Sequence, residues 1–265
     1  TFPIIPKFGG RTNVWTMTRA ILPLVKQLHA QKPFDVIDAS FFFPDGPVAQ
    51  RLSRALGIPY SVKARGADIH HWGSQRGTRK MVLRAGEGAA GLLAVSDAMR
   101  RSMVRMGMDE GKIRVHYTGV DLDTFELADR AEAKATLDFN GPVVLCVGAL
   151  IPRKGQDLLV RALPMLPDVT LLLAGQGQYR RTLENLAEEL GVERRIGFLG
   201  SVPHHKLPRI FAAADVMALP SASEGLANAW VEALACGTPI VISDVGGARE
   251  LLDRPEAGQI VDRDP

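Results

Sequence analysis

Two hydrophobic periods alternate along the chain. Short β-branched or Leu-rich runs lie near 34–39, 59–63, 91–95 and 113–117, and again near 142–149, 169–174, 195–199, 215–219 and 239–243. Between them, stretches such as 179–190 and 206–214 carry apolar residues at helical spacing. Strands alternating with helices predict βαβ units and parallel sheets. Pro and Gly mark the joints, as at Gly141-Pro142, Gly175-Gln-Gly177, Gly237-Thr-Pro239 and Gly246-Gly247.

The scheme runs twice. The segment 120–140 is polar and acidic and has neither period, so it reads as a linker. The expected organisation is residues 1–125 as one Rossmann-like unit, 126–140 as linker and 141–265 as a second such unit. The fold class expected is α/β, with two doubly wound domains facing across a cleft at the carboxyl ends of their strands, where such folds bind ligands. The chain opens without Met in a Pro/Gly segment, with Gly9-Gly10-Arg11 as the remnant following a first strand, and stops after a strand-like run at 258–262. Truncation at both ends is therefore expected.

Composition changes this picture little. Apolar residues make up 46% and charged residues 23% of the 265, as in ordinary soluble proteins. The longest apolar run, 143–151, is interrupted by Gly148 and is about half of what spans a bilayer. Cys146 and Cys236 sit in apolar segments and read as buried thiols, which makes a cytoplasmic location the default. Charge is more informative. Residues 1–125 hold 18 Lys and Arg against 10 Asp and Glu, a balance of +8, and residues 126–265 hold 14 against 19, a balance of −5. A basic first half suits an anionic acceptor or the anionic inner face of a membrane, met peripherally. Its basic residues are not interleaved with aromatics, so nucleic acid is not an expected partner.

The candidate chemistry lies in Ser221-Ala-Ser-Glu-Gly-Leu-Ala-Asn-Ala-Trp-Val-Glu-Ala-Leu-Ala-Cys-Gly237-Thr-Pro239. Gly237 and Pro239 stop a helix whose start is expected at Glu224-Gly225. A helix opening there, straight after a strand, offers free amides to an anion such as a phosphate. Glu224 and Glu232, eight residues apart, would be separated by roughly 12 Å of helical rise. That suits the two ends of an extended ligand better than the single bond flanked by a glycosidase pair. A nucleotide sugar has such a shape. The alternative is a Ser221/Glu224 capping box with Glu232 facing water. Arg153-Lys154-Gly155, between a strand and a helix, would meet a phosphate or form a solvated basic loop.

The pattern Pro-Ser-x-x-Glu-Gly-x-x-Asn-x-x-x-Glu-Ala-x-Ala-Cys-Gly-x-Pro-x-x-x-x-Asp-x-Gly-Gly over 220–247 resembles the E-x7-E signature of retaining GT-B glycosyltransferases, the group that includes glycogen and sucrose synthases. The likeness continues through Gly197-Phe-Leu-Gly200, Leu173-Ala-Gly-Gln-Gly177, Val147-Gly-Ala-Leu-Ile-Pro-Arg-Lys-Gly155 and Tyr117-Thr-Gly-Val-Asp-x-x-x-Phe125. The resemblance implies that Glu224 contacts the donor hexose and Glu232 the ribose. Gly225, Leu226 and Ala227 would offer backbone to the diphosphate, Lys154 would neutralise it, and Gly148 would lie close to the donor. Where the family often has arginine directly after that glycine, this chain has Ala149, and Arg153 is the candidate replacement.

The acceptor side is expected in the first half. Lys63-Ala-Arg-Gly-Ala-Asp-Ile-His-His71 resembles the family segment that often supplies a histidine near the reacting sugar, with Arg65, Asp68 and His70 as candidates. Ser96 reads as an N-cap, and His204-His205 receive no role. The resemblance implies metal-independent hexosyl transfer from a UDP- or GDP-type sugar to a glycan or lipid-linked glycan. Retention would come from same-face displacement assisted by the leaving phosphate, with no resident cofactor. The rivals are an epimerase on the same fold, a non-catalytic nucleotide-sugar binder and an inactive fragment. An NAD-dependent oxidoreductase is disfavoured by the absence of a third glycine after Gly177.

Overall fold

The structure, a computed structural model, describes residues 9–264, with side chains from Thr12 onward. The chain divides into two compact units, Thr1–Tyr117 and Thr118–Pro265. In chain order the first holds α1 (Gly9–Gln31), β1 (Ile37–Ala39), α2 (Asp45–Leu56), β2 (Tyr60–Ala64), α3 (Arg76–Gly88), β3 (Gly91–Ala94), α4 (Asp97–Arg105) and β4 (Ile113–Val115). Its four strands pair in parallel in the order β1-β2-β3-β4. Gly9, Gly10 and Arg11 belong to α1 rather than to a loop. The expectation of a missing strand before it falls on residues outside those described. Ser96 caps α4 as expected, its hydroxyl accepting from the Met99 amide at 3.1 Å.

The second unit holds α5 (Arg130–Thr136), β5 (Val143–Val147), α6 (Gln156–Ala162), β6 (Thr170–Ala174), α7 (Arg180–Glu189), β7 (Ile196–Gly200), α8 (Leu207–Ala213), β8 (Val216–Leu219), α9 (Asn228–Ala235), β9 (Ile240–Ser243), α10 (Ala248–Leu251) and β10 (Gly258–Val261). The sheet runs β10-β9-β8-β5-β6-β7, and every pairing is parallel. Read from the β7 edge, that is third, second, first, fourth, fifth, sixth, the order of a dinucleotide-binding fold. Central strands read as continuous apolar runs because helices cover both faces. In β6, Leu171 to Ala174 are all buried. Cys146 and Cys236 are free and buried, and burial pushes their thiols up to about 12 and about 11. Among the described residues no helix is long and apolar enough to cross a membrane.

The segment expected as a linker is built into the second unit. Asp129 caps α5 through the Glu132 amide at 2.8 Å, and α5 packs on α8, with Ala133 buried against Ala212 and Ala213. Lys134 then donates to Asp215 Oδ2 at 2.6 Å and to the Gly141 carbonyl at 2.9 Å. The same Asp215 oxygen accepts from the Val143 amide at 2.7 Å, tying the start of β5 to α5. Residues 126–140 therefore carry a capped helix packed on the second unit.

Burial of Asp215 favours its neutral form, but the Lys134 hydrogen bond, the Val143 amide and the charges of Lys134 and Arg130 outweigh this and hold its carboxyl below the ordinary range. A lowered folded-state value contributes stability above the unfolded value, about 3.9, that is lost as pH falls through the lowered one. Lys134→Met is expected to cost less than about 1 kcal/mol at pH 7, because the pair is partly solvated. The gap from wild type should narrow below about pH 4. Urea unfolding of both proteins at pH 7 and in acid measures it.

Candidate functional site

At the middle of the second sheet, β5 and β8 are neighbours, yet the chain leaves β5 toward β6 on one side and β8 toward β9 on the other. Diverging loops at such a switch point open a crevice at the carboxyl ends of the strands. The loop after β5 carries Gly148, Arg153 and Lys154, and the loop after β8 carries Glu224, Gly225, Leu226 and Ala227. Residues 70 positions apart in the chain thereby meet. Lys154 Nζ lies 2.6 Å from Glu224 Oε1, with both side chains nearly buried. Arg153 Nη1 lies 3.6 Å from the same oxygen and also donates to the Ser223 carbonyl. Ala149, the family's usual arginine position, is exposed, and its carbonyl accepts from Gln156 Nε2 at 3.0 Å.

Backbone lies on backbone around this pair. The Ala222 amide donates to the Arg153 carbonyl at 2.8 Å, and the Gly247 amide to the Gly225 carbonyl at 2.8 Å. Gly246 has φ +55°, and a Cβ there would sit 2.4 Å from the carbonyl oxygens of both Glu224 and Gly225. Gly175 has φ +153°, and its Cβ would fall 1.9 Å from the Gly148 oxygen. Only glycine serves at either position.

These ties correct the expected helix. It begins at Asn228, not at Glu224, because the backbone of 221–227 bonds to Arg153, Gly247 and Thr118 instead of to itself. The helical rise between the two glutamates therefore does not apply. The capping box does not form either: Ser221 Oγ is buried without a partner among the described residues, and α9 has no side-chain cap. Glu224 is a loop residue. Glu232, on α9, is only 8% exposed, and its Oε1 lies 3.1 Å from His204 Nε2.

His204 was passed over in the sequence because nothing there places β7 and α9 in register. It lies in a 3₁₀ turn (His204–Lys206) before α8, its ring 5.0 Å from that of buried Phe125. The position of Phe125 at the end of the Tyr117-to-Phe125 motif was the available clue.

In the first unit the three acceptor-side candidates separate. Asp68 is fully buried, and its carboxylate accepts from the amides of Gly66 at 2.7 Å, Phe42 at 3.0 Å and Arg65 at 3.1 Å. It is consumed in holding the turn after β2 and is not presented to a ligand. Arg65 is exposed, its Nε donating to the Ser40 carbonyl at 3.1 Å. His70 is exposed on a π-helical turn (Asp68–Trp72).

Removing one partner of a nearly buried ion pair strands the other charge, whereas removing both does not. Lys154→Met and Glu224→Gln are each expected to destabilise the protein by about 1–3 kcal/mol, and the double variant by at least about 1 kcal/mol less than their sum. A double-mutant cycle of urea unfolding midpoints reads this out.

Comparison with known proteins places the chain. Residues 129–264 match the family model described as Glycosyl transferases group 1, and residues 1–124 match Glycosyltransferase Family 4. A GDP-mannose-dependent α-(1-6)-phosphatidylinositol monomannoside mannosyltransferase of Mycolicibacterium smegmatis is 40% identical over 158 residues, 54% of this chain and 41% of that protein. A D-inositol 3-phosphate glycosyltransferase of Mycobacterium sp. (strain KMS) is 43% identical over 161 residues, 58% of this chain and 37% of that protein. These matches thus span about two fifths of the curated relatives. Among solved structures, sucrose-phosphate synthase from Thermosynechococcus elongatus aligns with 26% identity and a TM-score of 0.86, over 96% of this chain and 67% of the other. Anabaena HepE in complex with UDP-glucose aligns with 29% identity and a TM-score of 0.81, over 91% and 68%. The fold class is the expected one, two Rossmann-like units of the GT-B type. With both loops of the switch point inside the matched region, the chain belongs to the group 1 glycosyl transferases.

Proposed function

We propose that this chain carries the donor site of a retaining glycosyltransferase that moves a hexose from a nucleoside-diphosphate sugar to a hydroxyl of a glycan or lipid-linked glycan. The observation that carries the reading is the convergence of Lys154 and Arg153 on Glu224 at the switch point of the second sheet. A diphosphate leaving group gathers negative charge as its bond to the sugar breaks. Preorganised cations aimed at that charge are among the strongest catalytic devices a protein has. Lys154 and Arg153 meet that need, with Arg153 standing in for the family arginine absent at Ala149.

In this reading Glu224 bonds hexose hydroxyls and Glu232 the ribose. Gly148 and the backbone of Gly225, Leu226 and Ala227 border the diphosphate. The bond from the anomeric carbon to the phosphate oxygen breaks, and the acceptor oxygen bonds to that carbon from the same face. The acceptor proton passes to the departing phosphate. The reaction calls for no resident cofactor or metal. A nucleotide-sugar donor accords with the GDP-mannose and UDP-glucose in the names of the two relatives. On the acceptor side, Arg65 and His70 remain candidate contacts. The +8 balance of residues 1–125 supports peripheral contact with an anionic membrane from the cytoplasmic side.

Calorimetric titration with UDP, GDP and ADP tests the donor site. One nucleotide is expected to bind, and Glu232→Ala to weaken it by roughly tenfold, the value of a charged hydrogen bond. Failure of all three to bind the folded protein would overturn the reading. Membrane contact predicts cosedimentation with anionic vesicles above the neutral-vesicle background, and equal recovery with both would sink that part.

A further inference from the structure

His204 holds the second carboxylate of the site by one oxygen. A carboxylate can only accept, so His204 Nε2 carries the proton in the 3.1 Å contact with Glu232 Oε1. The other oxygen, Oε2, receives no hydrogen bond among the described residues. Three separate pieces of the second unit set this up. Phe125, 1% exposed, meets the imidazole at 63° with centroids 5.0 Å apart. Phe125 is itself braced by Phe211 of α8 at 6.2 Å. Pro203 starts the 3₁₀ turn that presents His204, and α9 brings Glu232 to it.

A carboxylate on an unbranched two-carbon stem turns freely at its last torsion. Fixing one oxygen sets the plane of the group and aims the other. An oxygen aimed in advance accepts a ligand hydroxyl without the entropy cost of ordering it at binding. We infer that His204 is a positioning residue which orients Glu232 so that Oε2 accepts a ribose hydroxyl of the donor nucleotide. This rests on the donor reading above and extends it to a residue that the E-x7-E signature does not contain. His204 touches the carboxylate, not the substrate.

The imidazole is 66% exposed, so its replacement should leave the fold intact, which an unchanged urea midpoint verifies. Binding is measured for whichever of UDP, GDP or ADP the wild type takes, and for its 2′,3′-dideoxy form, on wild type, His204→Ala, His204→Gln and Glu232→Gln. His204→Ala is expected to weaken the ribonucleotide on the order of fivefold and leave the dideoxy form unaffected. His204→Gln, which keeps a donor at similar reach, should recover most of the loss. If Glu232→Gln weakens the ribonucleotide and His204→Ala does not, the inference fails and the donor reading stands. Equal loss on both nucleotides also overturns it, since His204 would then act elsewhere on the ligand. If Glu232→Gln changes nothing, the assignment of Glu232 to the ribose falls, and the inference with it.

Discussion

The second unit is organised around a nearly buried carboxylate that cannot be left alone. Taking Glu224 out of water costs several kcal/mol unless cations replace the lost solvation. Lys154 and Arg153 supply them from the far side of a crevice, 70 residues away in the chain. That requirement fixes more than two side chains. The loop after β5 must approach the loop after β8, and it does so through the Arg153 carbonyl and the Ala222 amide. The second loop must also stay out of the helix, which the Gly247 amide ensures by capturing the Gly225 carbonyl. Gly246 follows directly, because any side chain there would strike the carbonyls of Glu224 and Gly225.

Such a pair is a poor source of stability and a good source of readiness. Replacing it with apolar residues would be about neutral in free energy, so packing alone gives no reason for it. As a charge arrangement it has a use. A nearly buried lysine and a neighbouring arginine already held in place need little reorganisation when an anion enters beside them, which is the condition for electrostatic stabilisation of a developing charge.

The strands were legible in the sequence, since buried parallel strands are continuous apolar runs and each expected run lies on an observed strand. The loops between them were legible only as punctuation. The sequence suggests a helix opening at Glu224-Gly225, directly after β8. The bonds that stop it come from Arg153, Gly247 and Thr118, which no local window contains. Strand order was equally hidden. The adjacency of β5 and β8 makes the site, and neither strand's sequence reports its neighbour. Asp68 shows the same limit in the first unit. A polar residue after a strand invites a functional reading, but three backbone amides converge on its carboxylate. Residues 126–140, expected as a linker, show it once more: Asp129 is the cap of α5, and Ala133 packs the helix on α8.

Glu224 and Glu232 differ in what holds them, and under the proposed function the difference follows the ligand each would serve. Glu224 takes permanent cations on one oxygen, an arrangement that also leaves positive charge beside it for a phosphate. Glu232 takes a single imidazole N–H on one oxygen, where the proposed ligand would offer neutral hydroxyls. Both carboxylates are tethered through Oε1. In each case one oxygen is held by a partner, and under the proposed donor reading the other is left to meet the ligand. The partners that aim them, Lys154 from the β5 loop and His204 from the turn after β7, come from elements that the sheet order alone brings together.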